Sequence, residues 1–190
     1  ENPHQNAVFF GNLDETFLKL NGKEISYNNL LDINSAVQLI SEFEEPTFAI
    51  LKHNNACGIA SRENMIDSWK SALKSDPVSA FGGVLICNRT IDSQTAKEIN
   101  KIFFEVLIAP NFDEDALNIL REKKNRIILK QKKFKFDSVE HRSVLGCILS
   151  QEKDTKIDTI EKKNIVTIKK PSENEIDDLI FASKVCKNSK

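Results

Sequence analysis

The stretch Ser79–Pro110, SAFGGVLICNRTIDSQTAKEINKIFFEVLIAP, decides the fold class. Val84–Cys87 and Val106–Pro110 are short runs of residue types that central strands bury on both faces, and SQTAKEINKIFF between them reads as a helix. Strand, helix and strand in that order predict a crossover unit rather than a hairpin. The pattern extends both ways. Upstream, Pro46 punctuates the chain and Thr47–Leu51 reads as another central strand, closed by Lys52-His53. Ser61 is a candidate cap for a helix on which Met65, Trp69 and Leu73 recur at i, i+4 and i+8. Further back, Asn21-Gly22 marks a tight turn, and Ile25–Leu31 leads into a helix with Ala36, Leu39, Ile40 and Phe43 on one face. Downstream, DEDALNILREKK predicts a helix and RIILK (Arg126–Lys130) a strand. The alternation predicts an α/β class: a layered α/β/α lobe with a mixed, mostly parallel sheet.

Beyond Lys130 the rhythm weakens. HRSVLGCILSQEKD predicts two short strands or one bent one, and NIVTIKK a strand before Pro171. Ser172 with Glu175 three residues on forms a capping box ahead of Ile176, Leu179, Ile180 and Ser183 at helical spacing.

Composition narrows the class of function. A chain of 190 residues is long enough to bury a sizeable core, and 40% apolar against 29% charged residues places it among globular proteins. A net charge of −1 supplies no field for capturing nucleic acid or an anionic membrane. Cys57, Cys87, Cys147 and Cys186 are widely spaced without a C-x-x-C pair, so they are expected to be reduced thiols of a cytoplasmic protein. No apolar run approaches 18 residues, so no transmembrane span is expected. The chain opens at Glu1 rather than Met, which reads as a fragment.

Several segments carry chemically useful side chains. Lys52-His53 ends a strand, and ligands in open α/β sheets gather at the carboxyl ends of strands. His supplies a base near neutral pH; Lys supplies a fixed positive charge or an acid. The two share a pocket only if the backbone leaves β geometry there, and the following Asn-Asn-Ala-Cys-Gly accommodates that. The bland alternative is an exposed Lys beside an idle loop His. SAFGG (Ser79–Gly83) has two glycines that allow close approach of backbone to ligand, and its N–H groups are candidates for gripping a phosphate or a carboxamide; the alternative is an ordinary turn. ENPHQ (Glu1–Gln5) packs acid, amide and His at the very start. Cys57 beside His53 raises a Cys–His nucleophile pair, for which the spacing says nothing about geometry. A zinc deaminase would need H-x-E and P-C-x-x-C, and neither is present, so no metal is expected. Arg121–Lys135 is basic and interleaved with Phe134 and Phe136; RNA binding is the sharp reading and a solvated face the ordinary one.

ENPHQ, GKEISYNNLLDINSA, KHNNACGIA, SDPVSAFGGVLICNRTID, TAKEI, FFEVLIAP and ALNILREKKNR, in that order, together resemble one family: the AICAR formyltransferase domain of the bifunctional purine biosynthesis protein that also carries IMP cyclohydrolase. Weaker similarity continues through KKPSENEIDDLIFASKVCKNSK. The resemblance implies transfer of a formyl group from 10-formyltetrahydrofolate, as co-substrate, to the 5-amino group of AICAR, giving FAICAR. It implies His53 as proton acceptor and Lys52 as stabiliser of the transition state. AICAR contacts are implied at Gly82 with Phe81 alongside, at Glu105 toward ribose hydroxyls, and at Asn28 and Asn29 near the carboxamide. The fold implied is a pair of cytidine-deaminase-like lobes without the zinc, in an intertwined homodimer with sites between subunits.

On this basis residues 1–150 are read as the first α/β lobe, and 151–190 as a connector strand and capped helix leading toward a second lobe absent from the chain. Three departures stand out. The family's Arg-Tyr-Gly before ENPHQ is missing, and its Pro between Asn and Cys is Ala56, which would loosen the turn after the catalytic pair. The folate-contacting residues of the second lobe also fall outside the chain, so the chain is expected not to turn over alone. The competing reading is a non-catalytic nucleotide-binding module.

Overall fold

The computed structural model describes residues 4–158 and 165–189. They form two compact units: one runs to Lys132 and takes in residues from Lys187 onward, and the other is Lys133–Cys186. The first unit opens with a 3-10 turn at Leu13–Glu15. Its elements follow as β1 (Phe17–Asn21), α1 (Tyr27–Ile40), β2 (Thr47–Lys52), β3 (Asn55–Ser61), α2 (Met65–Ser75), β4 (Val84–Cys87), α3 (Ser93–Ile99), β5 (Val106–Ala109), α4 (Glu114–Arg121) and β6 (Ile127–Gln131).

The sheet order is β1-β6-β5-β4-β2-β3. β4, β5 and β6 pair in parallel, joined by α3 and α4 as crossovers, in keeping with the opening stretch of sequence. β2 pairs antiparallel with both β4 and β3, and β1 pairs antiparallel with β6. Four of the six strands, β3 to β6, therefore run one way, and the sheet is mixed. β1 and β3 are strands that the hydrophobic pattern did not announce.

One core lies between the sheet and α2, α3 and α4. It is built from Phe48 and Ile50, Leu85 and Cys87, Leu107 and Ala109, and Ile128, facing Met65, Trp69, Ala96, Ile99, Ala116 and Leu120. The Trp69 ring meets Phe48 edge-on with centroids 5.0 Å apart, a preferred aromatic geometry. α1 covers β2 and β4 from the opposite face with Ile33, Ala36, Val37, Leu39 and Ile40, which completes the α/β/α layering. Local chemistry sets the helix starts. The Ser26 and Asn29 side chains each accept from the other's backbone N–H to box the start of α1, and Asn64 and Asp92 accept from Asp67 N and Thr95 N at α2 and α3. The expected cap at Ser61 is corrected: Ser61 ends β3, where its hydroxyl meets that of Thr47 at 2.7 Å.

In the second unit, β7 (Val139–Val144) and β8 (Cys147–Glu152) form a hairpin whose turn residues Leu145 and Gly146 both have positive φ. Such a two-residue turn matches the twist of paired strands. The expected capping box precedes α5 (Glu173–Lys187), with Ser172 N donating to the Glu175 carboxylate at 2.7 Å. The connector strand expected at NIVTIKK is corrected. Among the described residues, 165–170 hold bends and no strand, and Val166 and Ile168 are exposed; a strand needs a neighbour to take its backbone groups. Asn164 lies outside the described residues. Where the sequence reading carries the first lobe to residue 150, the change of unit falls between Lys132 and Lys133.

Candidate functional site

Lys52 is the last residue of β2, and its register partner is Asn55, the first of β3. His53 and Asn54 between them form a two-residue turn, with φ of 55° and 65°. Positive φ at both central positions is the type I′ signature, for which Asn is a favoured residue and which is uncommon for non-glycine residues in general. The departure from β geometry that the Lys-His pair requires is thus present, at a cost on the order of 1–3 kcal/mol for a non-glycine residue in this region. α1 grips the turn: Asn54 N donates to Asp32 Oδ1 at 2.6 Å, and the Ser35 hydroxyl lies 3.3 Å from Asn54 Oδ1.

β2 runs against the parallel strands, so its carboxyl end meets their amino ends: Leu51 pairs with Val84, the first residue of β4. The end of β2 that carries Lys52-His53 is thus its carboxyl end, while for β4 and β5 the same edge is the amino edge. Lys52 Nζ donates to the Phe81 carbonyl at 3.0 Å, which ties the Lys-His end to SAFGG. Gly83 explains why a glycine is needed there: a Cβ would lie 2.9 Å from the Leu51 carbonyl. Gly82 has φ of 74°.

The N–H groups of SAFGG are not free to cradle an anion, which corrects that expectation. Ser79 N donates to the Asp76 carboxylate and Ala80 N to the Asp76 carbonyl. Phe81, Gly82 and Gly83 donate to the carbonyls of Val78, Phe103 and Ala80. The loop instead presents an aromatic face, since the Phe81 ring is exposed and lies 5.3 Å from that of Phe103. Phe103 is a site-edge residue that sequence reasoning missed. Its signal is Phe103-Phe104, of which one ring is exposed and the other fully buried.

Glu105 lies immediately before β5, held from both sides as its N–H donates to Gly83 O at 3.0 Å and its carbonyl accepts from Ile127 N at 3.0 Å. Its half-buried carboxylate pairs with Lys23 Nζ at 2.8 Å. Arg126 braces the strand approach from beneath: its buried guanidinium donates to Asn100 Oδ1 and to the Ile102 carbonyl, and stacks 4.4 Å from the Phe104 ring centroid. Burial pushes its pKa down, with the Glu122 carboxylate opposing. Lys23 was not singled out from the sequence, and Arg126 was read only as the start of a strand and as part of a basic stretch.

The structure therefore joins Lys52, Phe81, Gly82 and Glu105 at one edge through Phe103 and Gly83, with His53 on the adjoining turn. Asn29 uses its side-chain oxygen on the N-cap of α1, and Asn28 is exposed on the same first turn. His4 and Gln5 of ENPHQ are exposed, whereas Glu1, Asn2 and Pro3 lie outside the described residues. The Cys57 thiol contacts the Ile50 carbonyl at 3.5 Å and packs against the core under α2. Burial raises its pKa, which disfavours the thiolate a Cys–His nucleophile would need. Ala56 lies not in the turn but in β3, opposite Leu51 and beside a bulge, a position that tolerates proline on an edge strand. Among the described residues no group of three or more His, Cys, Asp or Glu could hold a metal ion, and no helix is long and apolar enough to cross a membrane.

The sequence matches the family model described as AICARFT/IMPCHase bienzyme over residues 1–190. Curated relatives include three proteins named bifunctional purine biosynthesis protein PurH. That of Bacteroides thetaiotaomicron is 59% identical over 190 residues, all of this chain and 38% of the relative. Those of Caldicellulosiruptor saccharolyticus and Acetivibrio thermocellus are 47% and 44% identical, again over all of this chain and 39% of each relative. The chain spans under two fifths of the length of these relatives. A match along its whole length, together with relatives at such identity, means that the chain belongs to the AICARFT/IMPCHase bienzyme family.

Proposed function

We propose that the chain is the first lobe of an AICAR formyltransferase, acting within a bifunctional purine biosynthesis enzyme that also carries IMP cyclohydrolase. The observation that carries this reading is the Lys52 Nζ bond to Phe81 O, which puts the one Lys-His pair of a family member against the glycine loop. In the reaction, the 5-amino nitrogen of AICAR attacks the formyl carbon of 10-formyltetrahydrofolate, the bond from that carbon to N10 breaks, and the proton lost by the amine is delivered to the leaving folate nitrogen. The amine is a poor nucleophile because its lone pair is delocalised into the imidazole and carboxamide. His53 takes the proton as the new bond forms, and the Lys52 ammonium stabilises the negative charge that develops on the formyl oxygen.

Glu105 accepts from the ribose hydroxyls, and Lys23 keeps its carboxylate aimed. Phe81, with the Gly82 backbone, forms a flat apolar wall for the heterocycle, and Asn28 and Asn29 lie on the helix turn assigned to its carboxamide. Neither a metal nor nucleic acid enters this reading. The working form is a cytoplasmic homodimer, with folate contacts outside this chain, and the chain alone does not turn over.

The test is His53→Ala in the full-length protein. Loss of a general base predicts a fall in formyl transfer of about 10²- to 10⁴-fold, with cyclohydrolase activity unchanged as a measure of intact protein. Formyl transfer at the wild-type rate would remove His53 from the chemistry. Full-length protein without any formyl transfer would favour the nucleotide-binding module instead.

A further inference from the structure

The geometry points to Asp32 as a positioning residue for the Lys52-His53 pair, acting through the Asn54 backbone; the inference rests on the formyl-transfer reading above. A two-residue hairpin turn leaves the N–H groups of its central residues pointing away from the ladder, where water ordinarily takes them. Here one of them is taken by a carboxylate at 2.6 Å, a short, charge-assisted bond. Ser35 lies one helical turn after Asp32 and engages the Asn54 side chain at 3.3 Å, so two groups on one face of α1 hold a single residue.

That residue adjoins His53, whose φ of 55° lies in the left-handed region, uncommon for any residue but glycine. β3 is the edge strand of the sheet, and its register against β2 already shifts between Ile50 and Leu51. Any change of turn in this bulged hairpin would re-aim His53. α1 is itself fixed by the Ser26–Asn29 box and by the burial of Ile33, Ala36 and Val37. Asp32 thus transfers the rigidity of a packed helix to the most strained residues at the site edge. The same helix carries Asn29 on its first turn, so the candidate carboxamide contact and the base are referred to one rigid element.

The test uses the full-length protein and five variants, one of them double. Asp32→Ala should lower kcat for formyl transfer by about 10- to 100-fold, the scale of an ångström misplacement of a reacting group, while KM for AICAR stays within about twofold. Asp32→Asn retains an oxygen acceptor for Asn54 N–H and should recover most of the rate. Ser35→Ala removes the second contact in a site where Ala fits, and carries the test should Asp32→Ala fail to fold. The deciding comparison is with His53→Ala: in that background, Asp32→Ala should cost nothing further, because groups that act through one another are non-additive. An Asp32→Ala or Ser35→Ala protein with unchanged kcat, an equal penalty in the His53→Ala background, or Asp32→Asn as poor as Asp32→Ala would each overturn the inference. If His53→Ala itself turns over normally, the formyl-transfer reading fails first, and the two failures are distinguishable.

Discussion

Asp76 shows how one side chain can hold a site-edge loop without touching any reacting group. Its carboxylate accepts from Ser79 Oγ at 2.6 Å and from Ser79 N at 2.9 Å, bridging the start of the loop that ends in Gly82-Gly83. These hydrogen bonds, the side-chain one first, lower its pKa below the ordinary 3.8, against a smaller desolvation effect. A folded-state pKa below the unfolded one means that the native state favours the ionised form. The stabilisation is therefore complete above the unfolded value and is lost as pH falls through the folded one. Wild-type protein is expected to be more stable than Asp76→Asn at neutral pH, with the gap closing only below about pH 4. Denaturant unfolding of both proteins between neutral pH and pH 3 measures it; a gap constant with pH would mean that the charge of Asp76 plays no part. Lys23 and Glu105 form a pair of a different kind. Both are partly exposed, so their ion pair contributes little to stability, and its value lies in where it keeps the carboxylate.

Among the elements, the β2–β3 hairpin carries the site. Its legibility was uneven for physical reasons. β2 was readable because all but its last residue are buried on both faces, whereas β3 mixes Asn, Gly and Ser and pairs on one side only, so its sequence resembles a loop. Reading β3 as loop moved the expected helix cap to Ser61, and it hid the type I′ turn that sets the His53 backbone. Lys52, Glu105 and Gly82 were named from residue type and resemblance. Asp32, Lys23 and Phe103 were not, since each meets a partner 21 to 82 positions away that no local pattern announces. Gly58 belongs with them: its Cα faces α2 so closely that a Cβ would stand 2.1 Å from the Ala72 carbonyl. Backbone oxygen cannot retreat as a side chain would, so the hairpin must move off the helix. Gly58→Ala is expected to destabilise by about 1–3 kcal/mol or more, as overpacking does, and to disturb formyl transfer as well, because the strand that shifts is joined to the turn. Thermal unfolding beside a rate measurement checks both, and an unchanged Tm would show that β3 has slack at this contact.

At the scale of the whole molecule, the edge that joins Lys52, Phe81, Gly82 and Glu105 is built within a single compact unit, from α1, the β2–β3 hairpin and the approaches to β4 and β5. The hydrogen bonds described for it close inside that unit, so the edge is preorganised by this chain's own packing. Catalysis asks for more. Two substrates must be held in register, and the rate gained by positioning disappears when one of them has no seat. These two conditions predict a separation of binding from turnover. Calorimetric titration of AICAR into the 190-residue chain should give saturable binding that weakens in Glu105→Ala and persists in His53→Ala, because on the proposed reading the first removes a ribose contact and the second a proton acceptor. The same preparation should transfer no formyl group from 10-formyltetrahydrofolate. Binding that survives Glu105→Ala unchanged would move the nucleotide away from the β5 edge. Formyl transfer by the isolated chain would instead mean that both substrates find their seats within these residues.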